Sequence, residues 1–145
     1  MGRVQDILAA KGGQVHTISG SATAYEAVEK LVRCNVGSLV VMDGGEVAGI
    51  FTERDYLRRV TLTDLAPRST AVRDVMTPRI ICVEPDKSIR ECMAIMTQER
   101  IRHLPVASGG EIVGVISIGD LVKHVSREQE VEIRYLTEYI QGQPG

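Results

Sequence analysis

The chain has 145 residues, 43% of them apolar and 25% charged, which suits one globular domain or two packed halves. A net charge of −2 and a pI near 5.9 exclude the strongly basic footprint of a nucleic-acid-binding domain. No apolar run approaches the ~18 residues of a membrane helix, and the first residues lack the apolar core of a signal peptide; the expectation is a cytoplasmic protein that engages neither nucleic acid nor membrane.

The chain opens with Val4-Gln5-Asp6-Ile7-Leu8, then a loop at Gly12-Gly13 and a short strand at 14–18. Thr23 and Glu26 have the spacing of a capping box, and Ala24, Ala27, Val28 and Leu31 form an apolar stripe of helical period. Strands are expected at 39–42 and 47–51. They flank Asp43-Gly44-Gly45-Glu46, a hairpin signal because both glycines tolerate positive φ. A helix follows from 53 to 62, and then a linker, 63–71, containing Pro67.

The same order then repeats. Val72-Arg73-Asp74-Val75-Met76 resembles the opening segment at an offset of 68, because 72 − 4 = 68. A strand is expected at 80–83, a helix capped by Ser88 with Glu91, strands at 104–107 and 112–116 around Gly109-Gly110, and a helix at 118–126. Between residues 35–60 and 100–125 the offset is 65 without a gap. Identities fall at Leu39/Leu104, Val41/Val106, Gly44/Gly109, Gly45/Gly110, Glu46/Glu111, Gly49/Gly114, Asp55/Asp120 and Val60/Val125. Polar positions are kept as well as apolar ones, which points to two copies of one β-α-β-β-α unit. Each copy alone is marginal in size, so the two are expected to share a core. A final helical segment carries Val131, Ile133, Tyr135, Leu136, Tyr139 and Ile140 over a broad face. That face must be covered by the protein's own body or across a homodimer.

Cys34, Cys82 and Cys92 lack CxxC spacing and read as small buried hydrophobes in a reducing compartment, with a redox role as the alternative. His16, His103 and His124 lack metal-ligand spacing, so no metal is expected. No nucleophile–base pair is visible, so no catalysis is expected.

Two strand-to-helix turns stand out, Thr52-Glu53-Arg54-Asp55 and Ser117-Ile118-Gly119-Asp120. Capping alone explains a hydroxyl followed three residues later by Asp. The same geometry also suits a ligand. A helix N-terminus attracts phosphate, and an Asp one turn in can accept hydrogen bonds from two vicinal sugar hydroxyls.

Three separated signatures occur in order: Val72-Arg73-Asp74-Val75-Met76-Thr77-Pro78, then Arg100-Ile101-Arg102-His103-Leu104-Pro105-Val106, then Gly114-x-x-Ser117-x-x-Asp120. The chain thereby resembles a tandem pair of CBS (cystathionine-β-synthase) domains. Repeats at 4–62 and 72–126 are joined by the linker 63–71 and followed by a helix and tail at 127–145. The size and the ending Tyr139-Ile140-Gln141-Gly142 are similar to stand-alone CBS-pair proteins of bacteria and plant organelles.

The resemblance implies an α+β fold with the two repeats packed sheet to sheet about a pseudo-twofold axis. It implies two clefts between the repeats that bind adenosyl ligands: AMP foremost, then ADP, ATP, NAD(H) or S-adenosylmethionine. By it, Asp55 and Asp120 hold ribose hydroxyls, with Thr52 and Ser117 beside them. Arg102 and His103 reach the phosphates, and Thr17, Ile18, Ile80 and Cys82 flank the adenine. A regulatory, energy-sensing role, a homodimer and an unnamed protein target follow, with no catalytic cofactor. The alternative is a structural module whose clefts are vestigial.

The copies differ where phosphate is expected: Gly37 matches Arg102, Ser38 matches His103, Val40 matches Pro105, and Arg54 matches Gly119. Positive charge would come from Arg102 and His103 in one copy and from Arg54 or Arg58 in the other, so the two sites are not equivalent.

Overall fold

A computed structural model describes residues 2–142, excluding the side chains of 135 and 138–142. The chain divides into two compact units, Gln14–Cys82 and Met1–Gly13 with Val83–Gly145.

In the first unit β1 (Thr17–Ser19) runs parallel to β2 (Ser38–Asp43), which pairs antiparallel with β3 (Glu46–Thr52). The β2–β3 turn has Gly44 at φ 61° and Gly45 at φ 80°, the mirror-image turn whose twist matches that of the flanking strands. α2 (Ala24–Cys34) starts at the expected box. The Glu26 amide donates to Thr23 Oγ1 at 3.1 Å, and the Glu26 carboxylate accepts from the Thr23 amide at 3.3 Å. Ala24, Ala27 and Leu31 pack on Leu39, Val41 and Phe51 in one buried cluster, while Val28 is only half-buried.

After β3, α3 (Glu53–Tyr56) passes into one π-helical turn, Leu57–Thr61. The helix expected at 53–62 is therefore not uniformly α-helical: the Leu62 amide bonds the Leu57 carbonyl, five residues back. The segment read as a linker carries a 3₁₀ turn at Pro67–Ser69, and α4 (Val72–Val75) then returns to this unit. Its Val72 amide donates to the Ala22 carbonyl and its Arg73 amide to that of Gly20, while Val72 and Val75 join the cluster.

The second unit repeats the plan with different parts. β4 (His103–Ser108) and β5 (Glu111–Ser117) form the hairpin, with Gly109 at φ 60° and Gly110 at φ 82°. α5 (Ile89–Glu99) is capped by Ser88 Oγ, which accepts from the Glu91 amide at 3.1 Å. The strand expected at 80–83 shrinks to a single parallel bridge, Val83 to Val106. The cause lies in the neighbouring strand. In the first unit the Val40 amide donates to the His16 carbonyl; the counterpart of Val40 is Pro105, which has no amide to donate.

α1 (Val4–Lys11) belongs to this second unit. Its Val4 amide bonds the Lys87 carbonyl and its Gln5 amide that of Pro85, with Val4 and Ile7 buried. The leading helix of each sequence repeat thus sits in the unit built on the other repeat's hairpin. The helix expected at 118–126 and the C-terminal helix are one element, α6 (Ile118–Gly142), because no proline or glycine interrupts it after Gly119. Along it Val131, Ile133 and Leu136 are 61%, 64% and 57% exposed. Tyr135, Tyr139 and Ile140, placed on the same face by the sequence, lie outside the described side chains. Among the described residues no helix is long and apolar enough to cross a membrane.

Candidate functional site

Each unit carries one strand-to-helix turn of the same construction. In the first, the Asp55 amide donates to Thr52 Oγ1 at 3.1 Å, and the Thr52 amide donates back to Asp55 Oδ2 at 3.0 Å. The hydroxyl fixes the first helical turn, and the returning carboxylate sits over free amides at the positive end of the helix. The other oxygen, Oδ1, accepts from Thr77 Oγ1 at 3.0 Å and lies 3.9 Å from Arg59 Nε. Arg59 also donates to the Met76 carbonyl at 2.5 Å. Asp55 is 8% exposed, so these partners offset the cost of burying its charge.

In the second unit the Asp120 amide donates to Ser117 Oγ at 3.1 Å, and the Ser117 amide donates to Asp120 Oδ2 at 2.8 Å. The same oxygen receives Lys11 Nζ at 2.7 Å, and Lys11 also donates to the Val115 carbonyl at 2.9 Å. Burial acts to raise the Asp120 carboxyl, but the Lys11 ammonium and the Ser117 amide outweigh it and hold the group below the usual carboxylate range.

Of the remaining expected residues, Gly37, Ser38, Arg102 and His103 are tied to the turn of their own unit by backbone bonds or strand pairing, whereas Ile80 and Cys82 fall in the unit of residues 14–82 and not in that of the Asp120 turn. Gly37 and Ser38 precede and open β2. The Glu53 amide bonds the Gly37 carbonyl at 3.2 Å, and buried Ser38 pairs with Thr52 across the ladder. In the same way the Ile118 amide bonds the Arg102 carbonyl at 2.9 Å, and His103 pairs with Ser117. Pro105 is buried two residues along β4, opposite Val115. The Arg102 side chain is exposed, and Arg54 and Arg58 are exposed on the α3 side. Among the described ion pairs it is Arg59 that reaches Asp55.

Thr17 and Ile18 are half-buried on β1, where Lys30 Nζ donates to the Thr17 carbonyl. Ile80 is half-buried and Cys82 exposed on the irregular stretch before Val83. The reading of all three cysteines as buried therefore holds for Cys92, in part for Cys34, and fails for Cys82. Burial pushes the Cys92 thiol up.

Sequence reasoning missed Lys11, Thr77 and Arg59. The signal for two of them was present in the offset of 68 between the opening segments, which aligns Ala9 with Thr77 and Lys11 with Arg79. Where one copy supplies a hydroxyl to its aspartate, the other has alanine and reaches its aspartate with a cation two residues later.

The family model for the CBS domain matches residues 4–62 and 72–127. The mitochondrial CBS domain-containing protein CBSX3 of Arabidopsis thaliana is 39% identical over 148 aligned positions, covering 96% of this chain and 72% of that protein. A solved protein with CBS domains from Burkholderia ambifaria is 45% identical with a TM-score of 0.85, covering 88% of this chain and 96% of the other. A hexameric CBS-CP12 protein from bloom-forming cyanobacteria is 28% identical with a TM-score of 0.76, covering 84% and 70%. The chain belongs to the CBS domain family and holds two such domains in tandem. CBS-pair proteins are in general regulatory and non-catalytic, and often bind nucleotides.

Proposed function

We propose that this chain is a ligand-sensing regulatory module that binds adenine nucleotides, AMP foremost and ADP, ATP or NAD(H) as alternatives, and reports its occupancy to a protein target. The observation that carries this reading is the paired turn. A hydroxyl and an aspartate are held in a reciprocal box at each of two strand-to-helix junctions, Thr52 with Asp55 and Ser117 with Asp120. In this reading each carboxylate exchanges a partner within the chain for ribose hydroxyls, beside amides that favour phosphate. Arg102 and His103 add polar groups beside Ser117, and Arg59 adds a cation beside Asp55. A homodimer fits the exposed apolar residues of α6. The free thiols fit a reducing aqueous compartment, the cytoplasm or, as for the Arabidopsis relative, a mitochondrion.

The test is calorimetric titration with AMP, ADP, ATP and NADH. Saturable binding is expected, with Asp55→Asn and Asp120→Asn each weakening one site. Absence of binding by all four at roughly millimolar concentration, near the weak end of specific affinities, overturns the reading.

A second reading, a structural module with vestigial sites, is favoured by one observation: both carboxylates already hold partners from within the chain. It predicts an oligomer whose melting temperature does not respond to nucleotide.

A further inference from the structure

The two aspartates are held by chemically different groups, and the difference has a structural origin. At Asp55 the hydrogen-bonding partner on Oδ1 is the neutral hydroxyl of Thr77, on a segment fixed by reciprocal amide–carbonyl bonds between Thr77 and Ile50, while the Arg59 guanidinium stands off at 3.9 Å. At Asp120 it is a lysine on a long stem. α1 reaches Asp120 because its end lies close on β5. A Cβ at Gly114 would stand 2.6 Å from Leu8 Cδ2, and one at Gly13 would stand 2.8 Å from the Val113 carbonyl. Lys11 lies between those two contacts in sequence, and its ammonium bridges Asp120 Oδ2 and the Val115 carbonyl. The pair is partly open to solvent, with side-chain exposures of 39% and 22%. The ammonium can therefore leave without unfolding α1, whose hold on the unit is the buried Val4 and Ile7. Arg79, the counterpart of Lys11, makes no described contact with Asp55.

Building on the nucleotide reading above, we propose that Lys11 sets the ligand specificity of the Asp120 turn: its ammonium occupies the place of the sugar hydroxyls, so this site takes a phosphate-bearing nucleotide in preference to an uncharged nucleoside. A ribose that bonds Asp120 must displace the ammonium. A nucleotide brings its own anion, on which the displaced ammonium can settle; a nucleoside brings none, and the lysine returns to the carboxylate. The Asp55 turn, whose carboxylate is hydrogen-bonded by a hydroxyl and has its cation, Arg59, 3.9 Å away, faces no ammonium bonded directly to its oxygens.

The test titrates AMP and adenosine into the full chain carrying Asp55→Asn, with and without Lys11→Met; methionine keeps the stem and removes the charge. Adenosine is expected to tighten roughly fivefold on removing the ammonium, the scale of a partly exposed ion pair. AMP should not gain, so the preference for AMP falls. In the Asp120→Asn chain the same lysine change should alter neither ligand. If Lys11→Met lowers the melting temperature by more than a few degrees, Lys11→Gln carries the same comparison. Adenosine affinity that stays the same or weakens in the lysine variants overturns the proposal. So does a preference that falls only because AMP weakens. If the Asp120→Asn chain binds AMP but neither Asp55→Asn chain binds anything, the nucleotide reading stands and the role of Lys11 fails. If no chain binds either ligand, wild type included, the nucleotide reading fails and takes this proposal with it.

Discussion

Asp55 and Asp120 share a sequence position and a cap but not an environment. Asp55 is buried with both oxygens engaged, and its bond from Thr77, 22 residues along the chain, is 3.0 Å long. Replacing Thr77 with Val removes a donor from a buried carboxylate and should cost about 1–3 kcal/mol in urea unfolding. A loss below about 0.5 kcal/mol, the scale of an ordinary surface change, would show that the hydroxyl is dispensable. At Asp120 the folded carboxyl titrates below its ordinary value, so its contribution to stability is complete above the unfolded pKa, about 3.9. The contribution disappears as pH falls through the lower folded value. The gap in melting temperature between wild type and Asp120→Asn should therefore be widest near neutrality and close below about pH 4. A gap that widens toward acid would reverse the sign assigned to Lys11.

Most elements were legible in the sequence because their signals are local. The box at Thr23, the cap at Ser88 and the glycine pairs each depend on residues within four positions and formed where expected, although at Ser88 only the cap half of the expected box is present. What was not legible depends on a neighbour elsewhere in the chain. The strand at 80–83 reads well alone, yet it fails because Pro105 faces it without an amide. Pro105→Val should restore that bond, and hydrogen exchange at the new amide should be slow; exchange at the rate of an unbonded amide would refute the explanation. Within the candidate site the two turns were readable as a repeat. Lys11 and Thr77 were not assigned, because their roles appear only once α1 and α4 are placed on the sheets they serve. Gly44→Ala or Gly109→Ala would force a side chain to φ near 60° and should cost about 1 kcal/mol by thermal denaturation.

For the whole molecule, the unit boundaries and the repeat boundaries differ by one helix. The family model begins each domain at a leading helix, 4 and 72, while the compact units divide the chain after each of these helices, between 13 and 14 and between 82 and 83. α6 exposes Val131, Ile133 and Leu136 in a stretch, 127–136, where most of the other residues are charged. If these seat a second copy, Ile133→Glu with Leu136→Glu should shift sedimentation from dimer to monomer. Substitution of such exposed residues changes a chain's own stability by no more than about 0.5 kcal/mol. A dimer that survives both changes places its interface elsewhere.

The exchange of leading helices also orders events during synthesis. Residues 14–82 contain every strand and helix of their unit, so that unit can close as soon as the ribosome has released it. α1 leaves the ribosome well before the hairpin it packs against, residues 103–117. Val4 and Ile7 must stay uncovered while roughly a hundred residues are added, some five to twenty seconds at common elongation rates. α1 is thus made before the hairpin that covers it and folds after it, a closure across roughly a hundred residues.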